Sequence, residues 1–249
     1  MHNHTKIKKL IKPQAVLFDT DNTLYDYLPA NKAAEKAACK KAENLLGINS
    51  KTFYEYFYKA RSEVKKNISH TASGHSRLLY FQRMIELLGF KAQLLLALDL
   101  EQTFWRTFLV NSSLFSGVSE SLLLLRKKNI PIGIVTDLTA HIQLRKLTYF
   151  GLEDTFDAVV TSEEIGHDKP DERNFIYILK KLGLDQNCVF WMIGDDSKAD
   201  IKGAKDVGAI TFQKLHKGVN IGENEFQPDY SFKSYWDFLR FLKSFLQNY

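Results

Sequence analysis

The sequence predicts an α/β fold, a doubly wound, Rossmann-like parallel sheet core with an inserted all-helical cap domain. Three observations carry that expectation. Strand-like and helix-like stretches alternate from Gly117 onward, the pattern of successive βαβ units. The strand-like stretches are apolar without strict alternation, as expected of strands covered on both faces. Between an isolated first strand at 15–19 and the alternating region lies a block, 26–110, with no convincing strand pattern. The expected organisation is a basic N-terminal tail at 1–13, a catalytic core at 14–25 and 111–249, and a helical cap at 26–110.

The elements follow in order. "AVLFD" opens the sheet. "PANKAAEKAACKKAENLLG" has Pro29 at an early helical position, many Ala, Glu and Lys, and Gly47 as a stop. "KTFYEYFYKARSEVKK", "SRLLYFQRMIELLGF" and "AQLLLALDLEQTFWRTFL" place apolar residues at helical spacing. Then "SESLLLLRKKN" reads as a helix, "IPIGIVTD" as a strand, "LTAHIQLRKLTYFG" as a helix and "FDAVVTS" as a strand. "ERNFIYILKKLG" is a helix, "CVFWMIGDD" a strand, "KADIKGAKDVG" a helix and "AITF" a strand. "PDYSF" reads as a short edge strand before a final helix in "KSYWDFLRFLKSFLQ".

Composition narrows the function classes. The 249 residues are 45% hydrophobic, enough for one large domain or two small ones with a real core. The longest apolar runs, "LLLAL" and "LLLL", are far too short to cross a bilayer. No secretory signal is expected from the basic start "MHNHTKIKKLIKP", and Cys39 and Cys188 form no CxxC pair, so a cytoplasmic location is the expectation. The net charge of +5 is unevenly spread: residues 1–12 hold four lysines and no acid, and 26–110 hold 13 Lys/Arg against 8 Asp/Glu. The remainder is mildly acidic. A basic segment beside an acidic body suits a small anionic substrate. Neither an arginine stripe nor an aromatic RNA-binding motif is present, so no nucleic-acid partner and no membrane partner are expected.

The chemistry is concentrated where the strands end. In an open parallel sheet, ligands bind at the carboxyl ends of the strands. The first strand runs into "FDTDNTL", with Asp19 and Asp21 one residue apart and on the same side of an extended chain. Two carboxylates that close repel unless a cation answers them. The second strand ends at Thr136-Asp137, the loop "TSEEIGHDKPD" brings Lys169, and "CVFWMIG" ends at Asp195-Asp196 with Asp200 following. Oxygen-only ligands select a hard ion such as Mg²⁺. Such an ion with a lysine is a common way of holding phosphate oxygens. One carboxylate can then accept the phosphoryl group while its neighbour moves protons.

These four stretches resemble the motifs of the haloacid dehalogenase-like hydrolases. "FDTDNTL" is similar to the Asp-x-Asp-x-Thr of motif one, "IVTD" to motif two, "HDKPD" to motif three and "MIGDDSKADIKGAKDVGA" to motif four. The resemblance spans roughly residues 14–235 and holds in both order and spacing. It implies that Asp19 is the nucleophile and an Mg²⁺ ligand, and that Asp21 is the general acid/base and binds metal through its backbone carbonyl. It further implies that Thr136 and Lys169 contact the phosphoryl group, that Asp195 binds Mg²⁺, and that Asp200 orients Lys169 or metal water. The second acid, which the dehalogenase branch generally lacks, favours a phosphate substrate, and the helical block is similar to a lid that closes over small substrates. Two positions depart from the family pattern. Asp137, expected with Thr136 and Lys169 to bind substrate, stands where Asn or a small residue is common. Asp196, expected with Asp200 to support the site, stands where Ser or Thr often follows Asp195.

The expected activity is Mg²⁺-dependent hydrolysis of a small phosphorylated metabolite, a nucleotide or sugar phosphate, through an aspartyl-phosphate on Asp19. Three alternatives remain open: a phosphomutase on the same scaffold, a non-hydrolytic phospho-accepting binding or signalling module, and a non-catalytic relative, which the presence of every needed catalytic residue disfavours. Smaller signals read more plainly. Phe53, Tyr54, Tyr56, Phe57 and Tyr58 are expected to be helix packing; His70, His75 and Arg77 a polar turn; and His2 and His4 part of a mobile terminus. His167, two residues before Lys169, either approaches the site or is an exposed loop residue, with neither favoured. Cys39 and Cys188 read as small buried apolar residues, and "GAKDVG" as close packing, since no Lys-Ser/Thr follows its second glycine.

Overall fold

A computed structural model describes residues 1–3 and 10–247. Lys6, Lys8 and Lys9 of the basic tail, and His4, lie outside the described residues. The chain divides into two compact units, Met1–Asp26 with Ser113–Tyr249, and Tyr27–Ser112.

The first unit is a seven-stranded sheet. After β1 (His2–Asn3) comes β2 (Ala15–Phe18), four residues with no exposed surface at all. The second unit then supplies helices α1 (Tyr27–Leu46), α2 (Ser50–Asn67), α3 (Arg77–Leu87) and α4 (Leu94–Val110). Back in the first unit follow α5 (Val118–Lys127), β3 (Ile132–Thr136), α6 (Ala140–Tyr149) and β4 (Ala158–Thr161). Next come α7 (Ser162–Ile165), α8 (Glu172–Lys181) and β5 (Phe190–Gly194). A short helical segment, Ser197–Lys202, leads into α9 (Gly203–Asp206), β6 (Ile210–Lys214), β7 (Tyr230–Phe232) and α10 (Tyr235–Leu246).

The strand order is β1-β7-β6-β5-β2-β3-β4. All pairs from β7 to β4 are parallel. From β2 the chain winds first toward β4 and then, from β5, toward the other edge. The winding therefore reverses between β2 and β5, where such sheets bind ligands. One feature departs from the expected free terminus: His2 pairs with Ser231 and Asn3 with Tyr230, antiparallel. The edge of β7 offers unpaired backbone groups, and an extended segment of almost any sequence can satisfy them.

Side chains alternate between the two faces of the sheet. Ala15, Leu17, Val135 and Met192 pack against Phe175, Ile178 and Leu179 of α8. Helix α8 lies so close that a Cβ at Gly133 would meet Ile178 at 2.9 Å. On the other face Trp191 packs on Phe212 and Phe245, with ring centroids 4.8 and 5.4 Å away, and Phe238 joins Phe212 at 5.8 Å. Gly203 of "GAKDVG" is tightly enclosed, since a Cβ there would reach Phe175 and Pro170 at 2.9 Å.

The helical unit packs as its apolar spacing predicts. Phe53 and Phe57 are buried and stacked at 5.5 Å, and Phe57 meets Phe81 at 5.3 Å. Tyr58, by contrast, is exposed and donates its hydroxyl to Glu35. Among the described residues, no helix is long and apolar enough to cross a membrane.

Candidate active site

The site is built at the reversal point. Asp19 leaves β2 with its backbone amide donated to the Ile193 carbonyl of β5 at 2.9 Å, which fixes Asp19 beside the end of the neighbouring strand. Strand β5 ends in Gly194 because Asp200 occupies the space a side chain would need: a Cβ there would sit 2.3 Å from the Asp200 carboxylate. Asp196 turns the chain back. Its Oδ1 accepts the amides of Lys198 and Ala199, both at 2.8 Å, and its own amide donates to Asp200 Oδ2 at 3.1 Å. A side-chain cap of this kind satisfies amides that a helix start leaves open.

Lys169 ties the site together. Its buried Nζ donates to Asp19 Oδ1 at 2.7 Å, Asp200 Oδ1 at 2.6 Å and the Val135 carbonyl at 2.9 Å, using all three ammonium donors. Burial opposes its charge, but Asp19, Asp200 and Asp137 outweigh burial and hold its pKa well above the ordinary lysine range.

One lysine does not balance the carboxylates. Oxygens of Asp19, Asp195 and Asp200 lie within 4.8 Å of one another. Burial, then Asp200 and Asp19, push Asp195 up to about 9. Asp19 is also raised, by burial against the pull of Lys169 and with Asp21 adding to it. Three acids held this close resist ionisation until a further cation arrives. An all-oxygen donor set of this kind fits a hard divalent ion.

Thr136 and Asp21 are set by α6. The Thr136 hydroxyl lies 2.8 Å from that of Thr20 and accepts Gln143 Nε2 at 2.8 Å. Gln143 also donates to the Asp137 carbonyl at 2.7 Å. One turn on, Lys146 donates to Asp21 Oδ1 and Oδ2 at 2.8 and 3.0 Å, and the Tyr25 hydroxyl donates to the same Oδ1. Asp21 lies outside the three-acid cluster, although its charge is felt at Asp19.

Asp19, Lys169, Asp195 and Asp200 thus meet at one point, with Thr136 and Asp21 engaged by neighbouring residues. Asp137 accepts the backbone amide of Lys169 at 2.9 Å, and burial, against Lys169, lifts its pKa to about 6. Its carboxylate holds the Lys169 loop. Asp196 is exposed and spends its carboxylate on the cap. The His167 side chain is exposed; its carbonyl accepts Asn174 Nδ2 at 3.0 Å. His70 is exposed and left-handed, with φ 58°, while Arg77 packs among the Tyr80, Phe104 and Trp105 rings of its own unit. Cys39 is buried and Cys188 half-buried, both free.

Sequence reading passed over Gln143, Lys146, Tyr25, Gln213 and Lys214. Gln213, fully buried, donates to the Asp195 carbonyl at 2.8 Å and the Asn220 carbonyl at 3.0 Å. Lys214 is buried over the Phe115 ring at 4.2 Å, and burial, opposed by Asp195 and Asp26, lowers its pKa to about 8. The available signal was a run of polar residues on faces that should be apolar: Gln143 and Lys146 share the buried side of α6 with Ile142 and Leu147.

A family model for haloacid dehalogenase-like hydrolases matches residues 13–208. The chain belongs to that family. The ribulose-1,5-bisphosphate 5-phosphatase of Halopiger xanaduensis is 41% identical over 198 residues, which are 79% of this chain and 82% of that protein. A glyceraldehyde 3-phosphate phosphatase of Methanopyrus kandleri is 30% identical over 200 residues, 80% of this chain and 82% of its own. The crystal structure of a HAD phosphatase from Thermococcus onnurineus superposes with a TM-score of 0.69 at 25% identity, covering 92% of this chain and 97% of that one. The hydrolase is therefore an enzyme of the family's phosphatase branch. All of its candidate site residues, from Asp19 to Asp200, fall inside the matched segment.

Proposed function

We propose that the enzyme hydrolyses the phosphate monoester of a small sugar phosphate in the cytoplasm, with Asp19 as nucleophile and Mg²⁺ as cofactor. The observation that carries this reading is the clasp of Lys169 on Asp19 and Asp200 beside Asp195. It is a nucleophile, a fixed cation and a carboxylate set of unbalanced charge at one point of the sheet. Asp19 and Asp195, with the Asp21 backbone carbonyl, would hold the Mg²⁺, and Asp200 stands close enough to assist; the ion supplies charge neutralisation for the phosphate oxygens.

The steps follow from the side chains. Asp19 attacks phosphorus as the ester P–O bond breaks, and protonated Asp21 delivers its proton to the leaving oxygen. Water then attacks the aspartyl-phosphate while the Asp21 carboxylate takes its proton. The P–O bond to Asp19 breaks, releasing phosphate and restoring both acids. Lys169 balances charge on the transferred group, and Thr136, oriented by Gln143, offers it a hydroxyl. The activities of the relatives, a ribulose-1,5-bisphosphate 5-phosphatase and a glyceraldehyde 3-phosphate phosphatase, favour a sugar phosphate. A pyrimidine 5'-nucleotidase of Escherichia coli, 37% identical over 36% of this chain, keeps nucleotides in second place.

The test is phosphate release from sugar phosphates, nucleotides and an aryl phosphate, with and without Mg²⁺. Release that needs Mg²⁺ and falls by about 10⁴-fold or more in Asp19→Asn is expected. Undiminished turnover by that variant overturns the assignment.

A further inference from the structure

We propose that Lys146 and Tyr25 are positioning residues for Asp21, holding its carboxylate for the attack of water on the aspartyl-phosphate. The inference rests on the reading of Asp21 given above and extends it to residues outside the four motifs. Lys146 is 1% exposed, on the side of α6 that also buries Ile142 and Leu147. A cation there costs several kcal/mol unless it is closely paired, and an apolar residue would serve packing at least as well. Its ammonium instead reaches both oxygens of Asp21, at 2.8 and 3.0 Å.

Tyr25 completes the grip. Its hydroxyl donates to Asp21 Oδ1, and the Thr20 hydroxyl approaches the same oxygen at 3.3 Å. The Lys146 ammonium also lies 5.8 Å from the Tyr25 ring centroid, and that ring packs on Phe150 at 4.9 Å. The donors are themselves enclosed: Tyr25 is 1% exposed, and its backbone bridges to both Asp21 and Leu114. Asp21 lies on a loop with its side chain 32% exposed, and these donors engage both of its oxygens. Donors on both oxygens match the carboxylate that Asp21 becomes once it has protonated the leaving group. That is the form that must take the proton from water in the second half of the cycle.

The geometry separates the two halves of turnover. With p-nitrophenyl phosphate the leaving group needs little acid assistance, so phosphorylation of Asp19 should tolerate loss of Lys146, whereas hydrolysis of the aspartyl-phosphate should not. In Lys146→Met, kcat on this ester should fall about 10²-fold, the scale of a misplaced catalytic group, while kcat/KM stays near the wild-type value. A burst of nitrophenol and a trapped phospho-enzyme, visible by intact-protein mass spectrometry as added phosphate, should accompany it. Tyr25→Phe keeps the ring and should show the same split at about tenfold, the scale of one hydrogen bond to a charged group; it serves if the lysine variant folds poorly. Equal losses in kcat and kcat/KM, or no loss in either variant, overturn the proposal. Asp21→Asn separates the two levels. A burst there with none in the Lys146 and Tyr25 variants sinks only their positioning role, whereas no burst in Asp21→Asn removes the reading of Asp21 itself and the proposal with it.

Discussion

The two units bury different chemistry. Among the described residues, the buried side chains of the helical unit are apolar or aromatic, such as Ala34, Phe53, Phe81 and Phe104, and none is charged. The sheet unit buries Asp19, Lys146, Lys169, Asp200, Lys214 and Asp229 together with Thr and Gln side chains. A buried charge is retained at a cost in stability unless pairing offsets it. Most of the sheet unit's buried charges sit at the carboxyl ends of its strands, where they can act on a ligand. The lesson is one of division: the helical unit maximises packing, and the sheet unit gives up some stability for a reactive rim.

The largest break in this contrast should come from Lys169→Met. Activity should fall about 10²–10³-fold through loss of transition-state charge balance, and urea unfolding should show a stability loss of about 3–5 kcal/mol, because Asp19 and Asp200 are left buried without their partner. Phe81→Ala in the helical unit should cost a similar 3–5 kcal/mol, but by a cavity. Its cost should not vary with pH, whereas the cost of Lys169→Met should be smaller in acid, where the carboxylates it leaves can protonate.

A subtler test uses pH. Burial and mutual repulsion raise Asp195 to about 9, and burial first, then Asp19, raise Asp200 to about 8 against Lys169. Unfolded, both titrate near 4. Between those limits the folded protein without cation holds more protons than the unfolded chain, so its stability falls as pH rises. Mg²⁺ competes with those protons. The rise in Tm on adding excess Mg²⁺ over chelator should therefore be larger at pH 8 than at pH 5; an equal rise at both would place the ion away from these acids. The smallest effect is expected from Asp196→Ala, which removes only an exposed cap: about 1 kcal/mol by urea unfolding.

The central strands were legible because they are short, mostly apolar runs closed by a turn or a polar end, a local property. The short β1 was not, because "HN" carries no strand signal and pairs only because the edge of β7 is there. The same division holds in the site. Asp19, Lys169, Asp195 and Asp200 were legible from their places after strands. Gln143 and Lys146 were not, because a polar residue on a helix reads as solvated until the face that meets the sheet is known. Asp137 and Asp196 were visible as departures, yet their hydrogen bonds to the Lys169 amide and to the Lys198 and Ala199 amides could not be read from spacing.

By itself, then, the amino-acid order determined which residues form the parallel strands, where those strands stop, and which polar groups stand at those stops. Only the tertiary structure decided how those groups divide the work: Lys169 between Asp19 and Asp200, Lys146 and Tyr25 on Asp21, Gln143 on Thr136. The physical reason is range. Apolar periodicity acts over a few neighbouring residues, whereas the bonds from Lys169 to Asp19 and from Lys146 to Asp21 join side chains more than a hundred positions apart. They exist only once the strand order has brought those side chains within about 3 Å; the shorter-range bonds of Tyr25 and Gln143 also need those strand ends and that helix face in place.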